Sequence, residues 1–409
     1  MVGGSWSWEH MRNLGVMMVG YRSKGRVLSG WLWTALVVGA LAPGCALARP
    51  PPLPSERAGV VVLPAAPGAH WVWVDDIAFL NMPDGRATLI DGDTGKMLGM
   101  LSTGYGFDSV VVPKSASVIY SPESYYSLGT RGTRTDVVTV YDARHLAPVD
   151  EIALPPKRAI IMPTRSAAAL TDDDRFLLIY DFTPAQSVTV VDTRTRRFVA
   201  DIGTPGCALV YPTGPRSFFS ICSNGALLQV KLNDHGAAAA ITRTPQLFNP
   251  QKDPLEQQGV RFGNTWLFTS FHGWVYPMEH TARGERRGRR WSLFTAAERA
   301  RHWRTGGLQY LAIYRPADEL YVIVHRGDVA TRKAPGTQVW VYNIATHRRV
   351  QRIRLRDAAG SILVTQDKDP LLFTCFIGSR ALEVYQARTG RYLRTVADVA
   401  ETPTTMVSP

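Results

Sequence analysis

The chain has 409 residues, 45% of them hydrophobic, enough to bury the core of one large domain or of two or three small ones, and this excludes a disordered protein. The formal charge is +12. About +3 of it falls in residues 1–48, where Arg12, Arg22, Lys24 and Arg26 outweigh Glu9; the remaining charge of about +9 reads as a surface bias or an acidic partner, not a nucleic-acid footprint.

Residues 1–48 have the layout of a secretory signal peptide. Basic residues precede the apolar run VLSGWLWTALVVGALAPG, and the small residues of ALA at 46–48 place cleavage after Ala48. The run is short and broken by Gly and Pro, which argues against a retained membrane anchor. Pro43 fits poorly with a lipoprotein site at Cys45. The mature chain is therefore expected outside the cytoplasm and off the membrane. Residues 49–69 follow as a lead-in whose RPPPLPSER stretch cannot pair as a central strand, with GVVVLPA at 59–65 as the candidate ring-closing strand.

From residue 70 to 399 one unit recurs. Its first hairpin has a short apolar strand, a turn with Pro, Gly or Asp, and a strand rich in Phe, Tyr, Ile and Val, as in SILVTQDKDPLLFTCF at 361–376. Its second alternates apolar and polar residues on both sides of a turn, as in SVTVVDTRTRRFVADI at 187–202. Two hairpins in about 40 to 50 residues make a propeller blade. Units fall near 70–103, 104–155, 160–203, 207–245, 256–294, 307–356 and 361–399. The predicted fold is all-β, a seven-bladed β-propeller with four-stranded antiparallel blades, the fifth most degenerate, and residues 400–409 form a C-terminal tail. Helix is confined to TAAERARHW, where Thr295 and Glu298 have capping-box spacing ahead of Gly306 and Gly307.

No motif with its own mechanism is present: there is no GxSxG, HExxH, CxxC or Walker loop, and GYGFDS at 104–109 lacks the third glycine of a dinucleotide fold. No catalytic residue and no metal ligand is assigned. His272 and His325 fall at strand ends and TDDD at 171–174 in a turn, where hydrogen bonding accounts for them; RGERRGRR at 283–290 reads as a solvated loop. Cys207 and Cys222 stand at the two ends of the hairpin CALVYPTGPRSFFSIC, and an oxidising compartment favours a disulfide over a zinc site or a working thiol. Cys375 sits in an apolar strand as an inert thiol. Trp71, Trp73, Phe79, Tyr105 and Phe107 open the first two units, either as packing between blades or as an apolar rim for a small ligand or a docking subunit.

Several stretches in order, RGTRTDVVTVYDARHLAPVDEIALPPKR, TPAQSVTVVDT, CALVYPTGPRSFFSICSNGALLQV and TAAERARHWRTGGLQYLAIYRPADELYVIVH, resemble the heavy subunit of quinoprotein amine dehydrogenases, the methylamine and aromatic amine types, across most of residues 70–399. The resemblance implies a periplasmic heterotetramer of two heavy and two light subunits. It implies that tryptophan tryptophylquinone resides in the disulfide-rich light subunit, with no cofactor in this chain. A small primary amine would be oxidised to aldehyde and ammonia, with electrons passing to a cupredoxin. It also implies that Cys207 and Cys222 form the heavy-subunit disulfide, and that a Phe after the first strand lines the amine channel. Phe79 is the best match in VWVDDIAFLN, with Leu80 one residue away; Tyr105 and Phe107 are the neighbouring candidates. Two stand-alone readings compete: a lactonase-type hydrolase, which needs an acid- or histidine-lined channel, and an exported binding module.

Overall fold

In the computed structural model, which describes residues 61–105, 110–157 and 163–409, the repeated hairpins pair into seven antiparallel sheets arranged as a β-propeller. The expected secretory signal lies outside the described residues. Blade four shows the full pattern: Cys207–Gly214, Ser217–Cys222, Leu227–Leu232 and Ala238–Arg243 lie side by side in chain order. Middle strands are flanked by neighbouring blades on both faces and are largely apolar, as in Phe176–Asp181, which is buried at every residue and ends in a single carboxylate. The outermost strand has no neighbour beyond it, and Ala238–Arg243 is exposed along its whole length.

Blades meet through aromatic packing. Between blades four and five, Tyr211 stacks on Phe219 at 5.0 Å and meets Phe268 edge-on at 5.0 Å, and all three rings are fully buried. Blade two departs from the four-strand pattern. It holds Val118–Tyr126, Arg134–Asp142 and Pro148–Leu154, and its inner position is reduced to a bridge between Val111 and Tyr120 because Pro113 has no N–H to extend the ladder. The arginine-rich 283–290 segment is not simply a loop: Gly284–Arg287 is the outer strand of blade five, and Arg290 lies 4.4 Å over the Trp274 ring. The helix covers Ala296–Ala300 with the full capping box of Thr295 and Glu298. It stops before the glycines because His302 already adopts a left-handed φ of 60°.

The ring closes differently from the expectation. Residues 61–65 form no strand; Leu63 N donates to the Arg144 carbonyl at 2.9 Å, tying this segment to blade two. The closing strand is Pro403–Val407, from the stretch expected to be a tail, and it pairs antiparallel with Trp71–Asp76 to become the inner strand of blade one. The propeller therefore runs past residue 399. All five residues of this strand are buried. Thr405 Oγ1 donates to the Asp75 carboxylate at 2.8 Å and Thr404 Oγ1 to the Asp75 carbonyl at 3.1 Å, which is how a threonine-rich strand is accommodated at the centre.

A second tie joins blade one to blade seven. The His70 ring nitrogens lie 2.8 Å from Asp93 and 3.2 Å from Asp367. Burial alone would lower the histidine pKa, but hydrogen bonds to Asp93 and Asp367 reverse that and raise it above its ordinary 6.5. A raised folded-state pKa gives stability that is fully present below pH 6.5 and lost as pH rises through the folded value. The melting temperature should therefore fall more between pH 6 and pH 8 in the wild type than in His70→Gln, by an amount worth less than about 1 kcal/mol. Equal falls in both would show that this bridge is idle.

Candidate functional site

The two ends of the disc differ in chemistry. One end carries the links between successive blades and the connections from the second to the third strand of each blade; the other carries the remaining turns. Exposed Phe79, Leu80, Tyr125, Leu128, Phe182 and Val329 all lie on the first end, in or beside those connections. The other exposed large apolar side chains among the described residues lie on outermost strands or at residues 61 and 62. Apolar side chains left exposed on one end are the feature by which a docking or ligand-binding surface is recognised.

Phe79 and Leu80 are the most prominent pair, 56% and 85% exposed. They begin the 3₁₀ segment Phe79–Asp84, entered through Ala78 in the left-handed region at φ 44°. What holds this turn is Asp76, buried at the end of the preceding strand. Its carboxylate accepts from the backbone N–H groups of Ala78 at 2.9 Å, Glu401 at 2.6 Å and Thr402 at 2.9 Å, and from the Thr402 hydroxyl at 2.9 Å. Thr402 Oγ1 in turn accepts from Phe79 N at 3.0 Å. A buried anion thus fixes a strained turn that pushes two apolar side chains into solvent.

The structure brings Tyr105 to the same segment: its hydroxyl lies 3.9 Å from the Met82 sulfur, and its ring meets Tyr126 edge-on at 6.1 Å. Phe107 lies outside the described residues. Sequence reading missed Leu128, Phe182 and Val329, whose exposure follows from lying in connections that no neighbouring blade covers. Tyr180, Phe182, Leu209, Phe248 and Leu255 line a groove of about 450 Å³ on the same end, between blades three and five.

Cys207 and Cys222 are bonded to each other and pair across the inner hairpin of blade four, beside this groove. The bridge closes a loop of 15 residues. Replacing both cysteines by serine should cost about 3 kcal/mol in urea denaturation without reductant. A loss below about 1 kcal/mol would mean that the ladder alone fixes this hairpin. Cys375 is free and buried, and burial pushes its thiol pKa up to about 12, which makes it unreactive. His325 is held by Thr331 Oγ1 at 3.1 Å, and burial lowers its pKa. Among the described residues no group of three or more His, Cys, Asp or Glu side chains could hold a metal ion.

At the opposite end the axis opens as a channel of about 540 Å³. Its walls are the inner strands, with aliphatic side chains such as Val111, Leu170 and Val260, and its mouth is charged. Among the described residues no histidine lines it.

Comparison with known proteins agrees with the shape and is more specific than it. Solved structures of a putative 6-phosphogluconolactonase from Bacteroides fragilis (TM-score 0.55, 9% identity, 87% of this chain and 99% of that one) and of the dihydro-heme d1 dehydrogenase NirN (0.52, 16%, 87% and 77%) share the fold alone. The methylamine dehydrogenase heavy chain of Paracoccus versutus is 32% identical over 348 residues, 84% of this chain and 80% of that protein. The heavy chain of Methylorubrum extorquens is 27% identical over 347 residues, 84% of each. The family model for the methylamine dehydrogenase heavy chain matches residues 68–408, which include the closing strand. On this match, spanning every blade, the chain belongs to the methylamine dehydrogenase heavy chain family.

Proposed function

We propose that this chain is the non-catalytic heavy subunit of a periplasmic, tryptophan tryptophylquinone-dependent amine dehydrogenase, and that its apolar end receives the light subunit in a two-heavy, two-light assembly. The observation that carries this reading is the segregation of Phe79, Leu80, Leu128, Phe182 and Val329 on one end of a propeller of this family. The quinone belongs to the light subunit's own tryptophans, so this chain supplies no bond to it. When bound there it provides the electrophilic carbonyl and the electron sink for oxidising a primary amine to aldehyde and ammonia, with a cupredoxin as acceptor.

The work of this chain is to bind, to shape and to exclude water. In this reading Phe79, Leu80 and Tyr105 line a passage for a small amine beside the docked subunit, and the hydrogen bonds to Asp76 hold that turn. Apolar walls there favour the neutral amine over its ammonium form and keep bulk water from the reacting carbon. Capture of the tagged chain from cells expressing its neighbouring genes should bring down a small cysteine-rich subunit whose visible absorbance changes on adding a primary amine. A chain recovered alone, stable and without amine-dependent absorbance, would favour a stand-alone binding module, and hydrolysis of a lactone by that chain would favour the hydrolase.

A further inference from the structure

We infer that the perimeter of blades five and six is a docking surface for an acidic protein. Two stretches there, 283–301 and 348–357, hold twelve arginines and no lysine against three carboxylates, Glu285, Glu298 and Asp357. Their net charge of +9 equals the whole formal charge of residues 49–409, so the remainder of that chain is formally neutral. The fold sets the two stretches side by side. Gly284–Arg287 and Arg349–Ala359 are the outermost strands of adjacent blades. Between them Glu298 accepts from Arg349 at 2.8 Å and from Arg352 at 2.6 Å, and Trp291 stacks on His347 at 4.8 Å. The charge of Arg289 also reaches His347, where it adds to the lowering of the pKa by burial.

The carboxylates within the patch do little to neutralise it. Glu285 is buried against His280 at 2.7 Å, Glu298 serves two arginines at once, and Asp357 ends its stretch beside buried Glu383, which accepts from its N–H at 3.4 Å. Arg286 takes a carboxylate from outside the two stretches, Glu279 at 2.5 Å. Arg289, Arg348 and Arg354 are exposed, and their side chains form no hydrogen bond or ion pair with any described residue. Protection of exposed sheet edges does not account for this charge, because the outermost strands Met97–Gly104 of blade one and Ala238–Arg243 of blade four carry no charged residue and one. Like charges at this density repel, and a partner that supplies carboxylates relieves them. Several of the arginines are already restrained: Arg349 and Arg352 lie 4.2 and 4.7 Å over the Trp340 ring and Arg290 4.4 Å over Trp274. Guanidinium forks held at set positions match carboxylates fixed on another protein, with less side-chain entropy to lose on pairing. An anionic bilayer is the weaker match. A membrane-binding face also inserts apolar side chains, and Val350 is the one large apolar side chain left exposed in either stretch. None of the apolar side chains assigned to the light subunit lies in the patch, so binding here does not depend on that assembly.

The test is fluorescence anisotropy of a labelled poly-L-glutamate peptide titrated with the protein as isolated, beside sedimentation with phosphatidylglycerol vesicles. The peptide should bind saturably at low salt and more weakly as salt rises. The triple variant Arg289→Gln, Arg348→Gln, Arg354→Gln should weaken it at least about tenfold. A control with the same loss of charge, Arg197→Gln, Lys231→Gln, Lys252→Gln, removes exposed cations outside the patch and should stay within about twofold of the wild type. All six side chains are exposed, and melting temperature with circular dichroism establishes that each variant is folded; if the patch triple does not fold, Arg354→Gln against Lys231→Gln makes the same comparison. No saturable peptide binding at low salt, equal weakening in the patch and control variants, or patch-dependent binding of the vesicles tighter than that of the peptide would each overturn the assignment.

Discussion

Replacing Phe79 and Leu80 together by lysine should abolish recovery of a light subunit with the tagged chain, a loss of at least about 100-fold in affinity for two central apolar anchors. Both side chains are largely exposed, so the isolated propeller should melt within about 1 °C of the wild type, as surface substitutions do. Asp76→Ala separates the two contributions. It leaves the N–H groups of Ala78, Glu401 and Thr402 without their acceptor, and should cost about 3 kcal/mol of stability as well as weakening docking. Undiminished recovery of the light subunit with the double lysine variant would show that the partner binds elsewhere on the disc.

A chain ending at Thr402 should fail to unfold cooperatively, because removing Pro403–Val407 reopens the ring. Blade one would lose its inner strand, and the Asp75 carboxylate would lose the Thr405 hydroxyl. Gln309 would lose both of its partners on Met406: its Oε1 accepts from Met406 N at 2.8 Å and its Nε2 donates to the Met406 carbonyl at 3.1 Å. That side chain links blade six to the closing strand, so the loss spreads beyond blade one. A milder probe is Met406→Ala, at a fully buried position, which should cost about 2–5 kcal/mol in chemical denaturation. A sharp two-state transition in the truncated chain, with an unchanged midpoint, would refute the role given to this strand.

The blades were legible because each obeys local rules. Ser187–Asp192 alternates, then turns at Asp192, Thr193, Arg194 and Thr195, then alternates again through Arg197–Gly203, and no distant residue is needed to see it. The closing strand escaped the same reading. Pro403–Val407 opens with proline and two threonines, which locally look like a tail, and both hydroxyls bond to Asp75, some 330 residues earlier. The candidate docking site was half legible. Phe79 and Leu80 drew attention as apolar residues after a strand. Their outward projection depends on hydrogen bonds from Glu401 and Thr402 to Asp76, across more than 320 residues of chain.

What the sequence by itself determined, then, is the number and type of the repeating units, because strand period and turn chemistry act over a few residues. The tertiary structure decided which terminus completes the ring and which apolar side chains stay uncovered. Each of those depends on contacts between segments hundreds of residues apart, and local pattern holds no record of them.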